Sequence, residues 1–374
     1  MKPVMACLYG LCTVTGALAQ GTTVVTIGHV GPMSGSIAHY GKDTRNAAAM
    51  AVQDLNARKI MIGGRPVEFR LQVEDDAADP KQGTAAAQKL CDMKVVGVVG
   101  HINSGTAIPA SKIYEECGIA FISSGATNPK LTQNGYATTF RVLATDNALA
   151  AGVAKYAAGE LKLKRVAIVD DRTAYGQGIA STFKAAAKAA GIEVVAEEFT
   201  SDKATDFTSL LTLIKGKRAE AIFYGGTDAQ GGPMLRQMNQ LGMADVRMLG
   251  GDGICTPQLT ELSANSPALE RVVCAEGGAS LDKMPGGKAW KARYDKMFPG
   301  DYVLFSPYTY DGIQVLAEAM RQAQSTDPKK YLPALKAIAY KGVTTEIRFD
   351  ERGDIRDGAI TLYGFKGGKK TAID

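Results

Sequence analysis

The sequence predicts an α/β protein made of two doubly wound lobes, each a parallel sheet covered by helices on both faces. Short apolar runs rich in β-branched residues alternate with segments of helical spacing from residue 24 to residue 249. The alternation is interrupted once, between Thr132 and Thr145, and then begins again. In addition, 374 residues are more than one hydrophobic core usually serves.

Strands and helices alternate regularly before the interruption. A buried parallel strand is a continuous apolar run, such as Val95–Val99, whereas amphipathic spacing marks a helix, such as Pro80–Asp92. The predicted strands are Val24–Val30, Glu68–Asp75, Val95–Val99 and Ala120–Ser123, and the predicted helices are Asp43–Arg58, Pro80–Asp92 and Ala107–Cys117.

The second half of the chain repeats this order and ends in a different pattern. After Val272–Glu276 the alternation gives way to helices followed by strands, a tail that we expect to return to the first lobe and cross once more. Predicted strands are Thr138–Val142, Arg165–Asp170, Glu193–Phe199, Ala221–Tyr224, Val246–Leu249, Val272–Glu276, Thr345–Phe349 and Ala359–Phe365. Predicted helices are Asp146–Glu160, Gly176–Ala190, Phe207–Lys215, Asp228–Leu241, Pro285–Phe298, Ser306–Gln324 and Pro328–Ala339.

Composition and charge narrow the classes of function. Apolar residues make up 45% of the chain and charged residues 22%, which is typical of a globular protein. The formal charge of +5 is spread along the sequence, without a run of Lys and Arg or interleaved aromatic residues. We therefore expect no nucleic-acid partner.

The N-terminus has the pattern of a secretory signal peptide. Met1 and Lys2 form a short basic start, Val4–Leu18 consists of apolar and small residues, and Ala17–Ala19 provides an A-x-A cleavage signal. No later segment reaches the roughly twenty apolar residues of a membrane-spanning helix. We expect residues 1–19 to be removed near Ala19 and the mature protein to be soluble and periplasmic.

Export also determines how the cysteines are interpreted. Two of them leave with the signal peptide, and an even number then remains in an oxidising compartment. Cys91 and Cys117 end consecutive helices of one βαβα unit, so a bridge between them is feasible, and Cys255 and Cys274 are the remaining pair. Other connectivities of four cysteines stay open. A catalytic cysteine is the poorer interpretation, because no histidine lies close to these cysteines in the sequence.

Loops at the ends of predicted strands carry the candidate site. Gly100–Thr106 follows the strand Val95–Val99 and precedes a helix, so it lies at the carboxyl edge of the sheet, where ligands bind. Free N–H groups at the helix start and the hydroxyls of Ser104 and Thr106 favour an anion. A carboxylate fits better than a phosphate, because the glycine motifs of phosphate loops are absent. The alternative is an ordinary N-cap that binds nothing. Similar loops are Gly31–Gly35, Ser123–Pro129, Asp170–Gly176, Gly225–Asp228 and Gly250–Gly253.

Other site chemistries have weaker support in the sequence. No metal-binding spacing of His and Cys occurs, and Ser104 is not part of a G-x-S-x-G elbow, so metal sites and hydrolases are disfavoured. The paired acids Asp75–Asp76 and Asp170–Asp171 fit caps or loop partners better than a general acid–base pair. The remaining pattern suits an amino acid between the lobes, with first-lobe hydroxyls and helix N–H groups for its carboxylate and Asp252 for its ammonium.

Several motifs follow one another in a fixed order along the mature chain. They are Gly31–Gly35 with Tyr40–Gly41, Asp75–Asp76 with Asp79–Gln82, Gly100–Ser111, Thr127–Pro129, Tyr175–Gly178, Tyr224–Gly226, Tyr310–Asp311 and Arg352–Asp354. In this order they resemble the periplasmic leucine/isoleucine/valine-binding proteins, over nearly the whole mature chain. The resemblance implies a type I periplasmic-binding fold with a three-segment hinge and delivery of ligand to an ABC permease.

The resemblance also implies limits for the lobes and contacts for the ligand. One lobe would comprise residues 20–144 and 276–356, and the other residues 145–275 and 357–374. Ser104 and Thr127, with the backbone at Ile102 and Gly125, look like the carboxylate and ammonium contacts of the first lobe. The corresponding side-chain pocket consists of Tyr40 and Phe305.

The second lobe matches the family pattern with departures. Tyr175 resembles the residue that closes over the ligand, and Asp252 occupies the place where the family often has an acid for the ammonium. Thr227 stands where the leucine-type proteins have an aromatic residue, so the resemblance does not determine the size of the pocket or the exact ligand. Ala78 and Asn103 occupy the places of the usual disulfide of that family.

Together these features predict a monomeric, non-enzymatic receptor without a cofactor or metal. It would close by hinge motion on a branched-chain or other aliphatic amino acid and deliver it to the permease subunits of an ABC importer. A receptor of the same fold for an amide or an aromatic acid, in transport or sensing, is the main alternative. An exported hydrolase is the enzyme alternative. The preferred side chain, the affinity and the cognate permease stay open.

Overall fold

A computed structural model describes residues 21–373, so the predicted signal peptide lies outside the described residues. The first part of the chain forms six strands and four helices. The strands are β1 (Thr23–Gly31), β2 (Met61–Ile62), β3 (Arg65–Asp75), β4 (Gly97–Gly100), β5 (Ala120–Ser123) and β6 (Thr139–Arg141). The helices are α1 (Ala38–Ala57), α2 (Pro80–Asp92), α3 (Ser104–Cys117) and α4 (Lys130–Gln133). The strand order is β2-β3-β1-β4-β5-β6, parallel except for the edge pair β2–β3.

The next part of the chain supplies most of a second sheet. Its helices are α5 (Asp146–Gly159), α6 (Ala174–Ala189), α7 (Thr208–Gly216), α8 (Asp228–Gln240) and α9 (Gln258–Leu262). Its strands are β7 (Arg165–Asp170), β8 (Glu193–Phe199), β9 (Ala221–Gly225), β10 (Arg247–Gly250) and β11 (Val272–Gly277). Two 3₁₀ turns, Asp252–Ile254 and Pro267–Arg271, lie between β10 and β11.

The tail returns to the first lobe and then crosses back. Its helices are α10 (Gly287–Met297), α11 (Ser306–Gln322) and α12 (Pro328–Lys336). Its strands are β12 (Tyr340–Lys341), β13 (Glu346–Ile347), β14 (Ile360–Lys366) and β15 (Lys369–Ala372). The second sheet has the order β15-β14-β11-β10-β9-β7-β8. In this sheet β14 pairs antiparallel with β11, and β15 pairs antiparallel with β14. The predicted α/β architecture with two lobes is confirmed.

Most element predictions hold, and the differences have local causes. α2, β5, β7 and β8 have the predicted bounds. α1 and α3 begin earlier than predicted, at Ala38 and Ser104, because their first turns lack the apolar spacing that marks a helix. β11 continues to Gly277, one residue past the predicted strand Val272–Glu276. The short elements β2, α4, α9, β12 and β15 were not predicted, since two to five residues are too few to show a period.

Side chains from the two faces of each sheet build separate cores. In β7, Val166 and Ile168 belong to one apolar cluster, whereas Ala167 and Val169 belong to another on the opposite face. Burial on both faces explains why the strand is a continuous apolar run without polar alternation. In the first lobe, α11 packs against α1 and the sheet, and thirteen of its seventeen residues are buried. No helix within residues 21–373 is long and apolar enough to span a bilayer.

Both predicted disulfides are present. Cys91 at the end of α2 is bonded to Cys117 at the end of α3, with 6.1 Å between their Cα atoms. Cys255, after the first 3₁₀ turn, is bonded to Cys274 in β11. The first bridge encloses the strand-end loop Gly100–Thr106, and the second begins just after the loop Gly250–Gly253. Closing such loops reduces the entropy of the unfolded chain, which favours the folded state.

Three segments cross between the sheets and lie side by side. The first, after β6, contains Ala144, and the second begins with Gly277 and Gly278 at the end of β11. The Gly278 N–H donates to Ala359 O in the third segment at 2.6 Å. A Cβ on Gly277 would lie 3.1 Å from the Ala144 nitrogen, so the segments touch through backbone. The three-segment connection of the predicted fold is therefore present.

A buried ion pair fastens the third crossing to the first lobe. Arg141 in β6 is fully buried, and its Nε donates to Asp354 Oδ1 at 2.9 Å across 213 residues of sequence. The guanidinium also donates to the carbonyls of Ala126 and Asn128 at 3.1 and 2.8 Å. Gly353 has φ +88°, and a Cβ there would stand 2.2 Å from Thr139 O, so only glycine fits this approach. The network holds the loop after β5 and the crossing in one arrangement.

We expect Asp354→Asn to lower the free energy of unfolding by about 3 kcal/mol, because it leaves the buried Arg141 charge unpaired. Denaturant unfolding followed by circular dichroism measures this. Asp245→Asn is the matched control: Asp245 forms an ion pair with Arg271, but its side chain is 95% exposed, and we expect no measurable change. Equal stability of the two variants would contradict a structural role for the buried pair.

Candidate functional site

Strand-end loops of the two sheets meet around a small enclosed space. This inner cavity has a volume of about 20 Å³, room for about one water molecule. A larger space of about 660 Å³, the outer cleft, opens beside it. Asn103, Tyr175 and Thr227 line both spaces. The other residues of the inner cavity are Tyr40, Ile102, Ser104, Gly125, Asp252, Gly253 and Phe305.

The first lobe presents a helix start without a side-chain cap. Asn103 precedes α3 in an extended conformation, but no side chain caps the helix, and Asn103 Oδ1 is buried without a partner. Ser104 Oγ accepts the Asn128 N–H at 3.3 Å and keeps its own proton to donate. Thr127 Oγ1 is buried without a hydrogen bond. An anionic group in the cavity would therefore meet free donors and the positive end of the helix.

Two buried carboxyl groups lie near the inner cavity, Asp252 in its lining and Asp146 beside Thr127. Asp252 Oδ1 accepts the Tyr175 hydroxyl at 2.8 Å, whereas its Oδ2 is buried without a partner. Neither carboxyl oxygen of Asp146, the first residue of α5, has a hydrogen bond. Burial, and then the charge of Asp146, raises the pKa of Asp252 to about 8. Burial raises the pKa of Asp146 to about 7, with Thr127 and Arg141 opposing it. A cation beside both groups would restore their charged forms.

Sequence reasoning missed Asp146. An acid in the first turn of a helix is explained by the helix dipole alone, so its position carries no sign of a ligand. The signal that could have found it is its place directly after the first crossing between the lobes. Its backbone N–H donates to Thr127 O at 2.9 Å, which brings the predicted hydroxyl loop and the missed acid together.

Comparisons with known proteins agree with this geometry. The family model described as periplasmic binding protein matches residues 24–369. The chain belongs to the periplasmic binding protein family. It is 34% identical to an amino acid binding protein of Pseudomonas aeruginosa, with 94% of this chain and 92% of the relative covered. It is 30% identical to the leucine-, isoleucine-, valine-, threonine-, and alanine-binding protein of the same species, with 92% and 91% covered.

Solved structures give the same family. A branched-chain amino acid transporter substrate-binding protein from Streptococcus pneumoniae, in complex with isoleucine, superimposes with a TM-score of 0.84. The two sequences are 25% identical, and the match covers 94% of this chain and 99% of the other. The predicted resemblance to the leucine/isoleucine/valine-binding proteins and the type I fold are confirmed.

In this periplasmic binding protein, eight of the nine predicted ligand-binding residues surround the inner cavity. The ninth, Thr127, does not line it and lies behind it beside Asp146. Tyr40 and Phe305 have ring centroids 5.6 Å apart and form an apolar wall with Ile102. The eight residues on the cavity are Tyr40, Ile102, Ser104, Gly125, Tyr175, Thr227, Asp252 and Phe305.

Direct hydrogen bonds between the lobes hold the cleft closed. The Tyr40 hydroxyl of α1 donates to Gly253 O at 3.0 Å. His39 Nε2 lies 2.9 Å from Asp228 Oδ2, and Asn128 Nδ2 donates to Ala174 O at 2.7 Å. These contacts explain why the inner cavity is so small. A ligand the size of an amino acid can enter only when the lobes separate.

A buried network beneath the site positions three first-lobe loops. His101 Nδ1 lies 2.9 Å from Asp76 Oδ2, and its Nε2 lies 3.0 Å from the Tyr114 hydroxyl. The Asp76 N–H donates to Gly31 O at 3.1 Å, so the loops after β1, β3 and β4 are joined. The neighbouring Asp75 accepts N–H groups of Met33 and Ala77 and acts as a loop partner, as predicted for the paired acids. Among the described residues, no group of His, Cys, Asp and Glu is arranged to hold a metal ion.

We expect the ligand-free closed form to lose population as pH rises. In the closed cleft Asp252 has a pKa of about 8 and Asp146 of about 7, whereas in an open, hydrated cleft both return toward about 4. Raised values in the closed form stabilise it at low pH, and this contribution is lost as pH rises from about 4 to about 8. Small-angle X-ray scattering of ligand-free protein should give a smaller radius of gyration at about pH 5 than at about pH 8.5.

Two variants separate the acids from the histidine that also bridges the lobes. Asp252→Asn should reduce the dependence on pH, because the amide does not titrate. His39→Gln removes the histidine that contacts Asp228 across the cleft and should leave the dependence in place. A wild-type radius that is constant over this pH range would contradict the prediction.

Proposed function

We propose that the protein is the extracytoplasmic receptor of an ABC importer and binds a branched-chain or other aliphatic amino acid between its closing lobes. The observation that carries the proposal is that donors suited to an anion and carboxyl oxygens suited to a cation lie at one cavity. Uncapped helix N–H groups and the Ser104 hydroxyl suit a carboxylate, and the free oxygen of Asp252, with Asp146 beside Thr127 outside the cavity lining, suits an ammonium. An α-amino acid presents both groups within a few ångströms. The relatives named for leucine, isoleucine and valine support the same class of ligand.

The energy required is within reach of these contacts. Micromolar affinity corresponds to about 8 kcal/mol, and one charge-assisted hydrogen bond contributes about 1.5–3 kcal/mol. The head-group contacts therefore need the burial of an apolar side chain beside them, which Tyr40, Ile102 and Phe305 provide. This favours an aliphatic side chain over a small polar one.

Binding and closure are one process in this proposal. A ligand shifts the open and closed populations only through its differential affinity for them. Contacts from both lobes provide that difference, since Ser104 belongs to the first lobe and Asp252 and Tyr175 to the second. The three adjacent crossing segments act as the hinge, and we propose lobe limits of 20–144 with 276–356 and 145–275 with 357–374.

We further propose that the chain is exported, with residues 1–19 cleaved near Ala19, and that it works as a monomer that delivers ligand to permease subunits. It has no enzymatic role in this proposal. Ser104 has the hydroxyl of a nucleophile, but both ring nitrogens of the nearest histidine in sequence, His101, are engaged by Asp76 and Tyr114.

Native mass spectrometry of gently purified protein tests the ligand class directly. We expect an aliphatic amino acid to be retained, and a thermal-shift screen with amino acids, amides and aromatic acids to give its largest shifts with leucine, isoleucine or valine. Retention of an aromatic acid or an amide instead would replace this ligand class with the alternative one.

We expect Asp252→Ala to weaken amino-acid binding by at least about tenfold in isothermal titration calorimetry, because the ammonium loses a charged partner. The thermal midpoint of the free protein should not fall, since the change removes a buried carboxyl group with one unpaired oxygen. Asp202→Ala, an exposed acid at the rim of the outer cleft, is the control and should bind normally. Unchanged affinity of Asp252→Ala would contradict its role.

A further inference from the structure

The outer cleft adjoins the inner cavity at Asn103, Tyr175 and Thr227, which line both spaces. Of these three, Thr227 precedes α8 and has the shortest side chain. Its hydroxyl is directed to Gln230 Oε1 at 3.2 Å. A ligand whose amino and carboxyl groups occupy the inner cavity can therefore extend its side chain past Thr227 into about 660 Å³ of space.

Two buried oxygens in the outer cleft lack hydrogen-bond donors. Asn103 contributes Oδ1 from the first lobe, and Asp171 contributes Oδ2 from the second, where the residue is 2% exposed. The other oxygen of Asp171 accepts the Thr173 N–H at 2.9 Å and the Thr173 hydroxyl at 2.6 Å. Only Oδ2 is left over. A buried acceptor without a donor costs free energy, so an N–H group supplied by a ligand would be stabilised there.

The charges around the outer cleft also favour a donor. Asp79, Asp171 and Asp202 line it, together with Arg172 and Lys203. The Arg172 guanidinium stacks 3.7 Å from the centroid of the Phe199 ring. Three acids against two bases leave the lining with one formal negative charge.

We propose that the outer cleft is a second subsite, which takes the side chain of a longer α-amino acid that ends in N–H donors: an amide, an ammonium or a guanidinium. This rests on the proposed function, because the amino and carboxyl groups must be held in the inner cavity. It goes beyond that function by extending the ligands from aliphatic amino acids to longer, donor-bearing ones. Thr227 determines how long a ligand side chain the site accepts, and Asp171 binds the N–H group at the end of that side chain.

Calorimetry with a ligand series tests the subsite. Leucine, norleucine, glutamine, lysine and arginine are titrated into wild type, Thr227→Tyr and Asp171→Asn. Thr227→Tyr places a large side chain between the two spaces and should weaken binding of lysine, arginine and glutamine by about tenfold more than it weakens binding of leucine. Asp171→Asn keeps an acceptor for Thr173 and removes the charge, so binding of lysine and arginine should fall by about tenfold, with leucine and norleucine unchanged.

A control variant completes the test. Asp245→Asn removes an exposed acid that lines neither the inner cavity nor the outer cleft, so it should bind the whole series as wild type does. Losses that are equal for leucine and the long ligands would overturn the subsite. So would a wild type that binds leucine but none of the donor-bearing ligands, and the proposed function would then still stand. A wild type that binds no amino acid at all would overturn the proposed function itself.

Discussion

The closed cleft depends on buried carboxyl groups that the protein does not neutralise. Asp146 and Asp252 leave three oxygens without hydrogen bonds, and the nearby Arg141 is already engaged by Asp354 and two carbonyls. A buried charge without a counter-charge is costly, so the empty closed form must hold protons on these groups or open to water. In the proposed function, a ligand ammonium pairs with these carboxylates. The ligand then completes an ion-pair arrangement that the fold leaves unfinished, and closure follows from its charge as much as from its shape.

Such an arrangement works only if the other parts of the site do not move to compensate. The buried Arg141–Asp354 pair fixes the loop after β5 against the third crossing, and the His101–Asp76 contact joins the loops after β3 and β4. The first lobe therefore offers its donors in a fixed geometry, which reduces the ordering that a ligand must bring about. The second lobe contributes side chains from short turns after β7, β9 and β10. In the proposed function, the hinge lies at the three crossings, where the segments touch through small residues.

The parts of the site that were predictable from the sequence follow from simple topology. Alternating strands and helices place the strand-end loops of each lobe on one edge, so the loops that carry Ser104, Thr127 and Asp252 could be found from their positions. Tyr40, Phe305 and Thr227 came from family resemblance, since no local pattern distinguishes them from core residues. Asp146 was hidden because a helix dipole explains an acid in a first turn. The Arg141–Asp354 pair joins residues 213 apart, and a periodic pattern carries no information on such a contact.

The two spaces of the cleft divide recognition between charge and length. In the proposed function, the inner cavity selects for a zwitterionic head group, because it must meet opposite charges at once. Such contacts are the same for every α-amino acid, so they give affinity without choice among side chains. Choice must come from where the side chain goes, and Thr227 has the shortest side chain of the three residues that line both spaces. A single substitution there alters the length of ligand that fits and leaves the charged contacts unchanged, which is a simple route by which one fold acquires different ligand ranges.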